Sequence, residues 1–415
     1  MFKILYIFAA ALMFQAVLFS QWSVISSLPG ASVNDVVISG NTLYSGTYNG
    51  VFRSTDGATS WQPVNSGLNN TQALTVYQLL LTGGVLYAAT VDGIYRSSNL
   101  GSNWIKKSDG IVVGGGASYT FAESIFENAG VLYTGTYTGI YSSTNSGDNW
   151  VVTNISGSDI DAKNFLNYNG TIFAARESIN IPGSYKSTDN GFTWSPFSIN
   201  STYLPAITFF NDGARLYAGT IDGVWLSTNN GLNWVSRNQG LSQDPYSTSI
   251  IRANGVLVTS LKFGGSGIFS STNDGAIWND FGTGLPFLNE ISKLMIFNNN
   301  ILAATSGGLY KRNINDLNGI TAVSSEIPSS FALRQNYPNP FNPNTKIRFQ
   351  VAKSSSVKIT VCDALGREIS ALVNEQLNPG TYEINFDGSA LSSGIYFYVL
   401  KAESFSETRK MLIIK

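Results

Sequence analysis

Residues 132–150 read LYTGTYTGIYSSTNSGDNW and combine a hairpin with a short polar motif that ends in tryptophan. Segments 132–136 and 140–143 are rich in aromatic, β-branched and small residues, which favours two strands. Thr138-Gly139 separates them, and glycine in a two-residue turn supplies the positive φ that a tight hairpin requires. The stretch therefore predicts two antiparallel strands followed by a structured turn.

The polar motif recurs along the chain. Six segments, here called the boxes, have the form Ser-x-Asp/Asn-x-Gly-x-x-Trp, and they occupy residues 54–61, 97–104, 143–150, 187–194, 227–234 and 271–278. The first box carries its glycine one position early, at Gly57. The closing tryptophans follow one another at steps of 43, 46, 44, 40 and 44 residues. A period near 43 without a helical pattern is typical of four-stranded propeller blades.

Each period supplies four strands, because an apolar run precedes each hairpin and another follows each box tryptophan. A seventh repeat at 301–310 lacks a box and a fourth strand. The segment Trp22-Ser23-Val24-Ile25 is similar to the residues that follow a box tryptophan, so we expect it to complete the last blade and remove an exposed sheet edge. The predicted fold is an all-β, seven-bladed propeller over residues 21–315, with six blades as the alternative.

Composition excludes several classes of function. The 415 residues include no His and one Cys, and 25 Lys+Arg against 26 Asp+Glu leave a net charge of −1. The absence of His removes the usual general base and the commonest transition-metal ligand. With no basic block, a nucleic-acid surface is not expected. We predict no metal and no cofactor.

The N-terminal segment predicts export. Met1-Phe2-Lys3 is a short positive start, and residues 4–19 are apolar except for Gln15. This run is shorter than the roughly 20 residues of a membrane span and suits a secretory signal. We expect residues 1–20 to be a signal peptide and the mature chain to hold no integral membrane span.

The boxes resemble the Asp-box (BNR) repeat of sialidases and of sortilin-type propellers, in which the box is a folded turn between the third and fourth strands of a blade. Four of the six polar positions are amides, which accept turn hydrogen bonds as a carboxylate does but make poor nucleophiles or metal ligands. We therefore expect a structural role for Asp56, Trp61, Asn99, Trp104, Asn145, Trp150, Asp189, Trp194, Asn229, Trp234, Asn273 and Trp278.

Blade topology puts the boxes on one face of the ring, so a ligand is expected on the opposite face, where the variable loops lie. The candidate ligand-face residues are Asp92, Tyr137, Arg176, Glu177 and Asp222. We favour a protein- or glycan-binding or adhesion module without a catalytic residue. The alternative is a glycan-cleaving hydrolase, sialidase-like or of another kind, which needs paired carboxylates across a cleft. Glu123 and Asp244 join Asp92 and Asp222 as candidates for it.

Residues 316–330 form a polar segment, predicted to be a linker. Beyond it, residues 331–415 contain 10 Lys+Arg and 7 Asp+Glu, whereas the preceding part is acidic. Alternating strands such as 346–351 and 357–361 predict a small β-sandwich of immunoglobulin-like form.

The last 85 residues resemble the type A sorting domain of the type IX secretion system, a family of Bacteroidetes and their relatives. The resemblance rests on four ordered motifs that contain Tyr337, Pro338, Asn339, Pro340, Phe341, Asn342, Pro343, Asp363, Gly366, Arg367, Glu368, Gly394, Tyr396, Lys410 and Lys415. It implies recognition of residues 331–415 by the type IX secretion machinery and delivery to the cell surface or the medium. It also implies that the tail is often removed and the cargo linked to surface lipopolysaccharide.

Overall fold

A computed structural model describes residues 21–25, 28, 32–113, 119–155, 162–176, 183–200, 204–262, 267–286, 290–318, 320–324, 326–377, 379–388 and 391–415. Helix in these residues is limited to α1 (Thr71–Leu74) and a 3-10 turn at Ile314–Asn318. The all-β class expected from the sequence is confirmed. The predicted signal peptide, residues 1–20, lies outside the described residues. Among the helices described here, none has the length and apolar character to cross a bilayer.

Seven sheets, numbered here in chain order and antiparallel except for one strand of sheet 4, are built from residues 23–313 as described. Sheets 1 to 3 comprise β2 (Val33–Ser39), β3 (Thr42–Thr47), β4 (Gly50–Ser54) and β5 (Gln62–Pro63); β6 (Val76–Thr82), β7 (Val85–Thr90), β8 (Gly93–Ser97) and β9 (Ile105–Lys106); and β10 (Phe126–Asn128), β11 (Val131–Thr136), β12 (Gly139–Ser143) and β13 (Val151–Val152). Sheet 4 comprises β14 (Asn154–Ile155), β15 (Ala162–Tyr168), β16 (Thr171–Arg176), β17 (Ser184–Ser187) and β18 (Thr193–Phe197).

The remaining three of these sheets follow the same plan. They comprise β19 (Ala206–Asn211), β20 (Leu216–Thr220), β21 (Gly223–Ser227) and β22 (Val235–Ser236); β23 (Ser247–Ala253), β24 (Val256–Leu261), β25 (Ile268–Ser271) and β26 (Asn279–Asp280); and β27 (Ile291–Phe297), β28 (Asn300–Thr305), β29 (Gly308–Asn313) and the N-terminal β1 (Ser23–Val24).

Small residues in the second strands let neighbouring sheets approach closely. The second strand is buried along nearly its whole length, as in β11, because its sheet packs between two others. A Cβ on Gly135 would lie 1.9 Å from the carbonyl oxygen of Ala162 in sheet 4. Glycine at this position of the repeat therefore follows from packing between sheets.

The sheets form a closed ring through their first strands. The first strand of sheet 1 contacts those of both sheet 2 and sheet 7. As the sequence predicts, β1 pairs with β29, in the register Ser23 with Lys311 and Val24 with Tyr310. Sheet 4 differs from the expected four strands, because β14 adds a fifth that runs parallel to β18. Its outer strand β18 is five residues long, against two in the other sheets of the ring, and a longer exposed edge favours pairing.

The C-terminal part contains two four-stranded sheets that share one hydrophobic cluster. The first comprises β30 (Ile320–Ser324), β35 (Gly380–Asp387), β32 (Asn344–Val351) and β31 (Ala332–Leu333), and the second comprises β34 (Glu368–Leu377), β33 (Ser355–Cys362), β36 (Gly394–Ala402) and β37 (Phe405–Ile413). The segment 316–330, expected to be a linker, thus contributes a strand that pairs with β35.

Candidate functional site

An irregularity at the start of the first strands shapes the centre of the ring. Within the described residues, six of the seven first strands contain a register shift at this point, for example between Val76 and Gln78. A β-bulge inserts one residue and re-aims its side chain. In sheet 3, where the first strand begins later, Glu123 follows the bridge between Ala122 and Thr136 at the same place.

The bulges produce two layers of side chains around a central cavity of about 500 Å³, here called the channel. The outer layer consists of Asn34, Tyr77, Glu123, Lys163, Ile207, Thr248 and Ser292. The next layer consists of Asp35, Gln78, Asn164, Thr208, Ser249 and Lys293. Every sheet of the ring therefore contributes to this cavity.

Polar side chains of the two layers join several neighbouring sheets, among them sheets 1 and 2, sheets 6 and 7, and sheets 7 and 1. Asn34 Nδ2 donates to the carbonyl oxygen of Val76 at 2.8 Å, and the backbone N–H of Leu79 donates to Asp35 Oδ2 at 2.8 Å. Equivalent contacts run from Thr248 Oγ1 to Ile291 O (2.6 Å), from Leu294 N to Ser249 Oγ (3.1 Å) and from Ser292 Oγ to Val33 O (2.7 Å). The channel wall is thus also the seam that holds the ring closed.

Three lysine–carboxylate pairs line the channel, each between neighbouring sheets. Lys293 Nζ lies 2.5 Å from Asp35 Oδ1, and Lys163 Nζ lies 3.8 Å from Glu123 Oε1. The third pair joins Lys262, which follows β24, to Glu290, which precedes β27, at 3.7 Å. Positive and negative groups are therefore equal in number along this wall.

Four aromatic residues, here called the aromatic rim, border the channel on the face opposite the boxes. Tyr48 and Tyr137 occupy the turns between second and third strands of sheets 1 and 3, and each is about half exposed (51% and 52%). Tyr77 and Phe121 lie between them. Successive ring centroids are 6.5, 5.6 and 4.4 Å apart, which makes a continuous row. Tyr48 and Tyr77 also line the channel.

The environment of Tyr77 keeps its phenol protonated. Burial raises the pKa of Tyr77 to about 12, and the negative charge of Glu123 acts in the same direction. A neutral phenol both donates and accepts hydrogen bonds. Tyr77 therefore presents an apolar ring to the rim and a polar group to the channel.

The boxes have one hydrogen-bonding pattern. The serine hydroxyl donates to the Asp or Asn side chain two residues later at 2.7–3.0 Å in all six boxes. In the third box, Asn145 Oδ1 also accepts the backbone N–H of Asn149 at 3.0 Å. The first box places Ala58 at φ +71, where the other boxes have glycine. The Asp and Asn side chains therefore form their hydrogen bonds within their own turn.

Three of the six box tryptophans are hydrogen-bonded to the sheet before their own. Trp104 Nε1 donates to Val64 O, Trp150 Nε1 donates to Lys107 O, and Trp278 Nε1 donates to Arg237 O, at 2.6–2.8 Å. Trp22 does the same to Phe281 O at 2.8 Å. Trp22 therefore occupies in sheet 7 the place of a box tryptophan.

The residues expected on the ligand face are scattered. Asp92 is buried and accepts from Lys106 Nζ at 2.8 Å and Tyr95 Oη at 2.6 Å. Arg176 is fully buried, with its guanidinium 5.6 Å from the Tyr185 ring centroid. Both side chains are therefore enclosed by neighbouring residues of the ring, and their place on a ligand face stays a prediction. Tyr137 and Asp222, in contrast, are exposed.

Tyr137 is the one residue of that set which joins the channel surroundings, through its stacking on Phe121. Asp222 is exposed in a turn, and Asp244 is exposed in the link before β23. Glu177 lies outside the described residues. Of the carboxylates considered for hydrolysis, Glu123 alone lines the channel, where the site also includes Asp35 and Glu290.

In the tail, the motif residues make local contacts. Asp363 Oδ1 accepts the backbone N–H groups of Leu365 and Arg367, and Asp363 Oδ2 accepts from Arg367 Nε at 2.7 Å. These bonds hold the pKa of Asp363 below its usual value, the backbone bond from Arg367 being the largest cause. Gly366 adopts φ +79 in this turn between β33 and β34, and Tyr337 is highly exposed.

Residues 335–415 match the family model of the secretion system C-terminal sorting domain. The match confirms the type IX secretion sorting domain in the tail. It indicates a substrate of type IX secretion that is exported to the outer surface or secreted. A search of the curated proteins finds no match to this chain.

Solved structures support the fold of the whole chain. PorZ of Porphyromonas gingivalis, described as an essential bacterial surface component of the type IX secretion system, has a TM-score of 0.59 and 15% identity over 92% of this chain. The extracellular domain of the hybrid two-component system BT4673 from B. thetaiotaomicron has a TM-score of 0.55 and 14% identity over 96%. An ancestral GH74 enzyme has a TM-score of 0.50 and 14% identity over 94% of this chain and 63% of its own.

This chain spans 59% of the length of both PorZ and the BT4673 domain. At such identities the likeness concerns the fold alone. It confirms an all-β, propeller-like architecture.

Proposed function

We propose that the chain is an exported surface or secreted protein whose ring is a seven-bladed propeller of Asp-box type and acts as a binding module. In this proposal residues 1–20 are the signal peptide, 21–315 the propeller and 331–415 an immunoglobulin-like sorting domain. Residues 316–330 join the two. The box residues hold the fold, and the ligand is a protein or a glycan bound opposite the boxes.

The observation that carries the binding proposal is the aromatic rim beside the channel. Rigid aromatic side chains supply large contact areas at low entropic cost, and they are enriched where binding energy concentrates. Tyr48 and Tyr137 are half exposed although each lies within 6.5 Å, centroid to centroid, of another ring. An exposed aromatic row next to a polar cavity suits a ligand with both apolar and polar faces.

Hydrolysis is the second candidate, because Asp35, Glu123 and Glu290 line one cavity. A glycosidase needs one carboxyl group as an acid and another as a base or nucleophile. Each of the three carboxylates has a lysine partner from a neighbouring sheet, and Asp35 also accepts two backbone N–H groups, from Val36 and Leu79. The three carboxylates are thus engaged by partners within the ring, whereas a glycosidase needs an acid and a base that face the scissile bond. We therefore favour binding.

The binding proposal is tested with the full chain on a glycan array and a peptide library, followed by calorimetry on the hits. Tyr137→Ala should weaken binding at least about tenfold, since it removes a rim ring. Phe192→Ala is the matched control, because Phe192 is an exposed aromatic (76%) within a box. Equal losses in both variants, or binding that neither affects, would contradict the proposed face. Release of reducing sugar from a bound glycan would instead support the hydrolase.

Export is tested by expression in a Bacteroidetes host that carries type IX secretion. The full chain should reach the surface or the medium, whereas a chain ending at residue 330 should stay in the periplasm. Phe192→Ala in the full chain controls for an unrelated surface change and should be exported normally. Surface delivery of the truncated chain would contradict the role proposed for the tail.

A further inference from the structure

We infer that the channel binds one or two sugar units of a neutral glycan, whose chain continues across the aromatic rim. This inference rests on the proposed binding function and names the ligand class. It is argued from the charge balance of the channel, from the geometry of its ion pairs and from one buried acceptor.

The channel is polar without an excess of charge. Lys163, Lys262 and Lys293 are matched by three carboxylates. An anionic ligand would have to compete with a carboxylate for each lysine, and a cationic ligand would have to compete with a lysine. Separating such a pair is unfavourable unless the ligand replaces every lost contact. A neutral ligand avoids this cost.

Two of the ion pairs are held at a distance that a hydroxyl group can bridge from the side. Lys163 Nζ and Glu123 Oε1 are 3.8 Å apart, and Lys262 Nζ and Glu290 Oε1 are 3.7 Å apart. Both separations exceed the usual hydrogen-bond distance of about 2.7–3.2 Å. A hydroxyl group accepts from an ammonium and donates to a carboxylate at once, so it can bridge such a pair without breaking it. Sugars present several hydroxyls in fixed directions.

Asn164 supplies an acceptor at the same part of the wall. Its Oδ1 atom is buried and accepts no hydrogen bond from the residues that the structure describes. Asn164 follows Lys163 on β15 and lines the channel with it. A buried acceptor without a donor is unfavourable, and a ligand hydroxyl that reaches it supplies the missing donor.

The rim leads directly into this part of the channel. Tyr77 belongs to both, because it lines the channel together with Glu123 and its ring centroid lies 6.5 Å from that of Tyr48. Pyranose rings have apolar C–H faces that pack on aromatic rings, whose faces carry negative partial charge. The channel volume of about 500 Å³ lies within the usual range of small-ligand sites. One ligand can therefore use both surfaces.

The test uses calorimetry on the full chain with defined probes. The neutral probes are cellohexaose, mannohexaose and a xyloglucan heptasaccharide, and the acidic probes are sialyllactose and tetragalacturonic acid. At least one neutral probe should bind, with an affinity that changes less than about twofold between about 50 and about 500 mM NaCl, because no net charge is involved. Preference for an acidic probe, with affinity that falls steeply with salt, would overturn the inference.

Asn164→Leu locates the site, because it removes the acceptor and fills the wall with apolar atoms. We expect a loss of affinity of about tenfold or more for the neutral probe. Asn233→Leu, at an exposed asparagine within a box, is the matched control and should bind normally. Asn164→Ser keeps a small polar group and guards against a folding defect in the leucine variant, with unchanged thermal unfolding as the criterion. We expect Asn164→Ser to weaken binding less than Asn164→Leu.

The outcomes separate this inference from the proposed function. If Tyr137→Ala abolishes binding of a neutral glycan while both Asn164 variants bind normally, the rim binds and the channel inference is wrong. If only peptides bind, and Tyr137→Ala abolishes that, the binding module stands and the glycan inference is wrong. If no glycan or peptide binds, both fail.

Discussion

The polar residue of each box works through hydrogen bonds to its own turn. In the first box, Ser60 donates both its hydroxyl and its backbone N–H to Asp56, and these bonds lower the pKa of Asp56 to about 2. In the fourth box, Thr193 lowers the pKa of Asp189 to about 2 in the same way. The other four boxes use an asparagine, which does not titrate. Chemically different residues therefore serve one geometry.

Because a carboxylate that is stabilised in the folded state has a lowered pKa, its contribution to stability is present above the unfolded pKa of about 3.8. That contribution is lost as the pH falls through about 2. We predict that Asp56→Asn/Asp189→Asn reduces the fall in melting temperature between pH 4 and pH 2. Thermal unfolding followed by circular dichroism measures this.

Asn145→Asp is the reciprocal control, since it introduces a titrating group into a box that lacks one. It should make the acid-induced fall in melting temperature steeper. A carboxyl NMR titration that gives Asp56 an ordinary pKa would contradict the explanation, whatever the melting data show.

At the scale of the element, the link after the fourth strand contains a glycine that lies against the backbone of a tryptophan in sheets 1, 2, 5 and 6. Gly67, Gly110 and Gly240 adopt φ +91 to +96 and lie against the carbonyl oxygen of the next box tryptophan. Gly284 lies against Trp22 in the same way. A Cβ on Gly110 would come within 2.1 Å of Trp150 O. The backbone N–H of Trp150 also donates to Asp109 O at 2.8 Å, so the link and the box cannot separate freely.

We predict that Gly110→Ala destabilises the protein more than Gly130→Ala. Both positions have positive φ (+92 and +83), so alanine is strained at each by about 1–3 kcal/mol. Gly130 has open space around its Cβ position, whereas Gly110 adds a backbone clash. Chemical denaturation of the two variants gives the difference directly. Equal loss of unfolding free energy in the two variants would show that the backbone around Gly110 moves away from Trp150 without an energetic penalty, and would contradict the prediction.

The elements differ in how far the sequence predicts them. The hairpins, the boxes and the strand β1 follow from repeated local patterns, and the tail follows from its motifs. The channel does not, because the bulge residues Asn34, Tyr77 and Lys163 share no residue type. What they share is their position in the repeat. In each of their sheets, one residue of the first strand pairs with the last residue of the second strand, and the bulge residue comes directly after it.

Sequence reasoning instead selected Asp92 and Arg176, which vary within the repeat but are buried. A residue that departs from a repeat can serve packing as well as binding, and the sequence alone does not distinguish the two. Tyr137, which is also among the residues predicted from the sequence, lies in an exposed turn. Its partners Tyr77 and Phe121 are distant in the chain, so the rim emerges only when neighbouring sheets are assembled.

At the scale of the whole molecule, Asp35 ties three sheets together. It lies in sheet 1, accepts the backbone N–H of Leu79 in sheet 2 and pairs with Lys293 in sheet 7. We predict that Asp35→Ala costs about 3–5 kcal/mol, because it leaves a partly buried lysine and a buried N–H without their partner. Urea unfolding measures this loss.

Asp35→Asn is the matched control, since an amide oxygen can still accept from Leu79. Its loss should be clearly smaller than that of Asp35→Ala. If the two variants lose equal stability, the ion pair with Lys293 dominates and the link to sheet 2 contributes little.

The seventh sheet is completed by the other end of the chain, so one tryptophan closes the ring. Trp22 is buried and donates to Phe281 O through Nε1. The strand β1 that follows it belongs to sheet 7 only through its pairing with β29, because the other strands of that sheet come from the far end of the ring's sequence. Trp104 has the same burial and an equivalent bond to Val64 O, but it lies within a continuous sheet. Comparing variants of the two residues therefore distinguishes the loss of side-chain packing from the loss of ring closure.

We predict that Trp22→Ala and Trp104→Ala each lose about 3–5 kcal/mol through the cavity they create. Only Trp22→Ala should also release β1, which is held by two residue pairs, and expose the edge of β29. Hydrogen exchange should then accelerate at Ile25, whose N–H donates to Leu309 O, and at Lys311, which pairs with Ser23. In Trp104→Ala these two amides should stay protected. Protection of both amides in Trp22→Ala would mean that β1 remains paired without its tryptophan, and that closure of the ring depends on the polar contacts around the channel.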